Sequence, residues 1–522
     1  MSNLNDHDFP PLSAKVNPAA VAFNPKDPAK QAGTSSRFAT INDLPDELLV
    51  CILDYLPGID LQDFQLNALV SFSHFCEPYL FLRTVSTNAG LASLVKAADF
   101  TYGSGAHLNL RRHTATAQDK KAVKEGLKAR GLSDWKKWAT NCNTNHVELD
   151  TLHTAIIMQT PNIETILLHD GNPGSMIGSR APKWVDLFRR ANFVVSPGGM
   201  HSFKRLHTLR IEIQQMTLTS LAPIFNTPSL RKLYIRGLLE YDQGMQRADE
   251  ILNYTIPRHC NCLDEFHLEH SFVQNDILRV LVASSRALKV FNYDMSLDNV
   301  SYQLEEEHLG PTTLVAALDS QKATLESLLF TNDTEATFRL RSTANICEGL
   351  RQFSKLKYLN CTVDNVACKD SSSEPTLIDQ IPSSLKTFHT FMSQDSSEGQ
   401  NEEVLHALEQ MAINCSEHTP NLASVRITHQ YLGPYFKYNW AHLVMLFSQT
   451  GVELVVEEDQ DEADGEWNQD WNATPAHAQA GLAFQGTLAF AVPPDTASST
   501  SSGEVSLYSN PDPTPYVYNG WW

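Results

Sequence analysis

One spacing constrains this chain more than any other feature: an apolar residue, a second three places on, and a third two places after that. Beyond position 160 it recurs at Ile163/Ile166/Leu168, Leu206/Leu209/Ile211, Leu230/Leu233/Ile235, Leu263/Phe266/Leu268 and Leu288/Phe291/Tyr293. It continues at Leu325/Leu328/Phe330, Leu356/Leu359/Cys361, Leu385/Phe388 with Thr390, and Leu422/Val425/Ile427. In an extended backbone, side chains alternate between faces, so the +3 and +5 residues share one side and the +2, +4 and +6 residues share the other. Each instance predicts a short strand, and Val452-Glu453-Leu454-Val455-Val456 predicts a last, capping one. Successive starts lie 24 to 37 residues apart, with one wider gap after Ile163. That leaves room for a helix in each unit, and 276–284 and 402–413 have helical patterning. A unit this short cannot bury its apolar strand face alone, so neighbours must stack into a repeat body over 161–456.

The rest of the chain divides by composition. Residues 1–37 are rich in Pro, Asn, Ala and Ser without periodicity, and 457–522 open with an acidic run and continue in Ala, Pro, Ser and Thr; both are expected to be disordered tails. Over 87–160, amphipathic stretches predict a helical connector and the start of the solenoid. Its local excess of base, Arg111, Arg112, Lys120, Lys121, Lys124, Lys128, Lys136 and Lys137, reads as solvated helix faces because stacking aromatics are not interleaved with the charges. A formal net charge of −20 argues against nucleic acid as a partner. Nine cysteines without regular spacing suggest reduced thiols. No apolar run approaches the roughly 20 residues that span a bilayer, so no membrane association is expected, and residence is expected inside the cell, in cytoplasm or nucleus.

Residues 38–86 form a compact, strongly apolar block. Asp43 can cap a helix, Pro45 suits its first turn, Asp46 and Glu47 complement its dipole, and Pro57-Gly58 ends it. Leu48, Leu49, Ile52, Leu53 and Leu56 make a stripe too wide for three turns of helix to leave in water. A second helical region is expected through Leu61, Phe64, Leu66, Leu69, Val70, Phe72 and Phe75, then Tyr79, Leu80 and Leu82. In order and spacing, Leu44-Pro45-Asp46-Glu47-Leu48-Leu49, Ile52-Leu53, Tyr55-Leu56-Pro57, Asp60-Leu61, Leu69-Val70-Ser71 and Phe75 resemble the F-box motif. The resemblance implies a three-helix module docked on a Skp-type adaptor, and through it on a cullin, with Leu44, Pro45, Leu48, Ile52 and Leu56 at the adaptor contact. Phe72-Ser73-His74 departs from the basic residue that many members carry after the Val-Ser pair.

The repeat body resembles the leucine-rich repeat, in the degenerate form of fungal F-box proteins, without the regular Asn that usually follows the strand. The whole is therefore expected to be α/β: an N-terminal three-helix F-box module, a leucine-rich-repeat solenoid and disordered tails. Stacked this way, the +2, +4 and +6 residues line a concave face. Arg210, Tyr234, Arg236, His267, Tyr358, His389 and Arg426 stand there as candidates for holding a protein substrate, a role in which Tyr and Arg are frequent anchors. His259-Cys260-Asn261-Cys262 with His267 and His270 offers soft and imidazole ligands, but the register turns His267 away from the core and need not bring the set together; no metal is expected. Phosphate-loop, nucleophile-elbow and zinc-helix motifs are missing, so neither a cofactor nor a catalytic residue is expected. The reading that follows is a substrate-recognition subunit of a ubiquitin ligase, with an interaction scaffold outside any ligase as the alternative.

Overall fold

The computed structural model describes residues 68–72, 78–102, 114–131, 134–144, 147–170, 183–192, 203–212, 218–240, 255–295, 313–331, 349–361, 363, 377–392, 398–429 and 438–458. Among them, twelve strands form one parallel sheet in which spatial order follows chain order. These are β1 (Ala68–Phe72), β2 (Val95–Tyr102), β3 (Thr165–Asp170), β4 (Thr208–Glu212), β5 (Lys232–Arg236), β7 (Glu265–Glu269), β9 (Val290–Asp294), β10 (Ser327–Thr331), β11 (Tyr358–Asn360), β12 (Thr387–Met392), β13 (Ser424–His429) and β14 (Glu453–Glu458). A two-stranded sheet, β6 (Leu239–Glu240) with β8 (Phe272–Val273), lies apart from it. Helices alternate with the strands: α1 (Pro78–Thr87), α2 (Ala89–Leu94), α3 (Ala117–Ala129), α4 (Trp135–Cys142), α5 (Leu149–Gln159), α6 (Lys183–Asn192), α7 (Leu218–Phe225), α8 (Asn275–Ala283), α9 (Leu314–Ala317), α10 (Leu377–Gln380), α11 (Glu398–His418) and α12 (Trp440–Gln449).

The apolar spacing is the core. Its members from Ile163 to Ile427 are buried, Thr390 included, and join the buried faces of the helices in one continuous cluster. The turn into most strands also repeats. The N–H of the first apolar residue closes a tight turn onto the carbonyl three places back, as in Leu206 to Phe203 (3.1 Å), Leu230 to Thr227 (3.3 Å), Leu356 to Phe353 (3.1 Å) and Leu422 to Thr419 (2.9 Å). Leu263 and Leu288 donate instead to the side chains of Asn261 and Gln321. The residue after it then donates to its counterpart on the preceding strand, as Arg231 does to His207 (2.9 Å), Lys289 to Asp264 (2.9 Å) and Lys357 to Glu326 (2.8 Å). Those +1 residues run Lys96, Glu164, His207, Arg231, Asp264, Lys289, Glu326, Lys357, Lys386 and the uncharged Ala423. Ion pairs join Lys96 to Glu164 (2.6 Å), Lys289 to Asp264 (2.8 Å) and Lys357 to Glu326 (2.6 Å). Opposite charges facing across strands favour this register, and a slip would separate these pairs.

Four differences from the sequence reading stand out. Ala68–Phe72 is a strand, not part of a helix, and pairs in parallel with β2, Val70 against Ala98 and Phe72 against Phe100. Periodicity cannot separate helix from strand in so short an apolar run, and pairing with a neighbour decides it. The sheet also has β2 ahead of the first recognised repeat: Val95, Ala98 and Phe100 are its buried triplet, disguised by a small residue in the +3 place. α1 buries Tyr79, Phe81, Leu82 and Val85 in the same core as the repeats. At the far end β14 reaches Glu458, two residues into the stretch expected to be disordered; Glu453, Glu457 and Glu458 are exposed on it, and charge on an edge strand discourages pairing with other chains. Leu44, Pro45, Leu48, Ile52 and Leu56, and the remainder of both expected tails, lie outside the described residues. No helix among the described residues is long and apolar enough to cross a membrane.

Candidate recognition face

The face of the sheet away from the core is built by register. The +4 residues of successive strands pair in one row: Leu167, Arg210, Tyr234, His267, Asn292, Leu329, Asn360, His389, Arg426, Val455. Residues far apart in sequence become neighbours because each strand repeats the same offset from its turn.

Arg210, Tyr234 and His267 thus stand side by side on β4, β5 and β7. The rings of Tyr234 and His267 stack with centroids 4.2 Å apart and planes 16° from parallel, and the Arg210 guanidinium lies over the other ring neighbour, 5.8 Å from the Tyr234 centroid. Carboxylates hold this row in place. Arg210 pairs with Glu212 and reaches Glu269 at 3.3 Å. Burial works against the guanidinium's charge, and Glu269 and Glu212 outweigh it, so its pKa is raised. Tyr234 donates its hydroxyl to Glu265 at 3.4 Å, and burial together with that carboxylate raises the phenol. Burial alone would raise the Glu265 carboxyl; the His267 ring at 3.9 Å and the Lys232 ammonium at 2.9 Å bring it down to about 2. Arg236 sits one row further along, opposite Glu269.

The floor beside this row is polar and closed. His267 is 9% exposed and Asn292 4%. His267 Nε2 and Asn292 Oδ1 are solvent-inaccessible and make no hydrogen bond among the described residues. A buried polar atom left unbonded is costly, and for His267 Nε2 the Glu265 carboxylate 3.9 Å away offsets part of that cost. Asp294, the next acidic residue on β9, accepts from Thr331 Oγ1 at 3.0 Å.

Tyr358, His389 and Arg426 form a second group on β11, β12 and β13, separated from the first by β9 and β10. His389 pairs in register with Arg426 and meets Thr428 Oγ1 at 2.9 Å. Burial, and then the Arg426 charge, push its imidazole down to about 4, so it is neutral at pH 7. Arg426 lies 4.0 Å from Glu457. The seven candidate residues therefore make two clusters on one face. Sequence reasoning places Glu212, Glu265 and Glu269 on this face without their role as the holders of Arg210 and Tyr234, and it misses Asn292 as the polar floor. Their offsets of +2, +4 and +6 were visible, but their bonding depends on which strands become neighbours.

The Cys260, Cys262, His267 and His270 set is dispersed by the same register. Cys260 Sγ donates to the Phe225 carbonyl at 3.4 Å, on the turn before β7, whereas His267 is committed to the Tyr234 stack. A scan against protein-family models finds no match to this chain, and no curated protein matches it in sequence.

Proposed function

We propose that this chain is an F-box protein with degenerate leucine-rich repeats, a non-catalytic receptor that presents a protein substrate to a cullin-RING ubiquitin ligase. The observation that carries the recognition half is the Arg210–Tyr234–His267 row: two aromatic rings and a guanidinium, held by carboxylates and set against a closed polar floor. Such pre-positioned anchors lose little entropy on binding, and Tyr and Arg in rigid settings dominate protein interfaces. The ligase half rests on the resemblance of 44–61 to the F-box, since Leu69, Val70 and Ser71 lie on strand β1 and not on a helix, with Leu44, Pro45, Leu48, Ile52 and Leu56 meeting a Skp-type adaptor. The mechanism is proximity. One end is fixed to the ligase core while the repeat face holds the substrate, raising the effective concentration of its lysines near the ubiquitin-charged enzyme. The chemistry belongs to the other subunits.

Affinity purification of the intact chain tests this. Adaptor and cullin are expected in stoichiometric amounts with the wild type and to be lost with Leu48→Asp plus Ile52→Asp, while far-ultraviolet circular dichroism shows the repeat body still folded. Equal capture by the variant overturns adaptor docking. Capture of other proteins without any adaptor identifies an interaction scaffold acting outside a ligase.

A further inference from the structure

α3 and α4 carry a charge pattern that their packing does not require. The buried side of α3 is Val123, Gly126 and Leu127. Its outer side carries Lys120, Lys124 and Lys128 at four-residue intervals with Lys121 beside them, a spacing that makes like charges neighbours and destabilises a helix. Trp135, at the start of α4, ties the two helices into one patch: Lys128 Nζ lies 6.0 Å and Lys136 Nζ 5.8 Å from its ring centroid. Lys137 continues the patch, and Lys121, Lys124, Lys128, Lys136 and Lys137 are all exposed.

The nearby carboxylates do not neutralise it. Asp119 is occupied by the Thr116 cap and by Arg83 at 3.2 Å, and Asp134 by Arg190 at 3.0 Å. Lys128 has an open pairing with Glu125 at 3.7 Å; among the described residues, Lys120, Lys121, Lys124, Lys136 and Lys137 join no ion pair. Concentrated, unpaired base on a chain of net charge −20 is the feature in need of explanation.

We propose that this face is a docking surface for an acidic segment of a partner protein. Complementarity of charge is the argument for the occupant, and size narrows it. Lys120 to Lys128 spans about 12 Å of helix at roughly 1.5 Å per residue, a match for two turns of an acidic helix or a few extended residues. Nucleic acid is disfavoured because the patch is short, the whole chain is acidic, and the Trp135 ring is flanked by two ammonium groups instead of being open to a base. An anionic membrane is disfavoured because the exposed large apolar side chains among the described residues, Leu94, Ile413, Val444 and Met445, all lie off these two helices. This surface is independent of the ligase reading and of the row at Tyr234.

The test is a titration of the full chain with a fluorescent peptide of about ten glutamates, scaled to the patch length. Saturable binding is expected, weakening at least about tenfold between about 50 and 200 mM salt, and about tenfold in Lys121→Glu/Lys124→Glu/Lys128→Glu. Lys→Arg at the same three positions is expected to retain it. Lys→Gln at these exposed positions provides a second loss variant should charge reversal disturb folding. Absence of peptide binding at low salt, or equal binding by the Glu and Gln variants, overturns the proposal. So does lysine-dependent binding of a single-stranded oligonucleotide or of phosphatidylserine vesicles in place of the peptide.

Discussion

Tyr234 and His267 sit opposite each other on β5 and β7 with their rings stacked 4.2 Å apart, although 33 positions separate them in sequence. The stack is a product of the turn before each strand, which sets both residues four places beyond a buried leucine, Leu230 and Leu263. Because the stack is pre-formed and Glu265 anchors the phenol, Tyr234 is a rigid anchor. Tyr234→Ala with Arg236→Ala is expected to weaken substrate capture roughly tenfold or more, while Tyr234→Phe, which keeps the ring, retains most of it. Quantitative mass spectrometry of proteins captured by each variant measures this. An unchanged capture profile with the double variant would remove the face from the recognition role.

The alternation of faces makes a sharp comparison within one strand. Leu328 is fully buried between Phe291 and Leu359 in register, whereas Ser327 beside it points to the opposite face. Leu328→Ala should cost about 2–5 kcal/mol through lost burial and an unfilled cavity. Ser327→Ala should change stability by less than about 0.5 kcal/mol. Denaturant unfolding of both variants provides the check, and similar costs would mean that the strand is misregistered.

How much of this was legible in the sequence depends on what each position is asked to do. Leu206, Leu209 and Ile211 announce themselves because a buried strand face needs large apolar side chains at fixed offsets. β2 escaped because Ala98 meets the same need with a methyl group, and β1 because Leu69, Val70 and Phe72 fit a helical stripe as well as a strand until a neighbour is supplied. The +1 charges were in plain view, yet their alternation becomes visible only when Lys289 is set beside Asp264 and Lys357 beside Glu326. The recognition row was legible as a list of outward residues. Which of them touch, and that Glu265 and Asn292 complete the surface, are consequences of strand order.

Close approach of α1 and α3 explains a glycine. A Cβ on Gly126 would lie 2.4 Å from Ser86 Cβ, 2.7 Å from its carbonyl oxygen and 2.8 Å from its Cα. Gly126→Ala gains about 1 kcal/mol of intrinsic helix preference. The clash is largely with backbone, so the helices must separate, and a net loss of about 1–3 kcal/mol is expected. Adding Ser86→Gly relieves the Cβ contact alone and should recover part of the loss. Thermal unfolding of the single and double variants decides the matter; a Gly126→Ala protein as stable as wild type contradicts the close contact.

The +1 row predicts a salt-dependent effect. Glu326 lies between Lys289 and Lys357, whose charges, led by the Lys357 contact, hold its carboxyl below the usual range. Glu326→Lys would place four positive charges in succession, at positions 289, 326, 357 and 386. Each of these pairs is well exposed and worth no more than about 1 kcal/mol, so the loss should be of that order at low salt and shrink as salt rises. Denaturant midpoints at low and high ionic strength measure it. A loss independent of salt would point to packing and not to charge.

His153 makes stability depend on pH. It is 1% exposed on α5, its ring tilted 37° against Phe100 with centroids 4.6 Å apart, and burial lowers its imidazole from the ordinary 6.5 to about 3. Above pH 6.5 the ring is neutral in folded and unfolded chains alike and contributes no difference. As pH falls below 6.5 the unfolded chain takes up a proton that the folded chain refuses, so stability is lost progressively until about pH 3. Between pH 7 and pH 5 this one group should account for about 2 kcal/mol. His389, pushed down to about 4, acts in the same direction. His153→Phe keeps a ring beside Phe100 and has no proton to bind, so its stability should fall less over the same interval. Urea unfolding of both proteins at pH 7, 6 and 5 gives the comparison. Parallel pH profiles would show that His153 takes up its proton without unfolding, and that the pocket around Phe100 admits water.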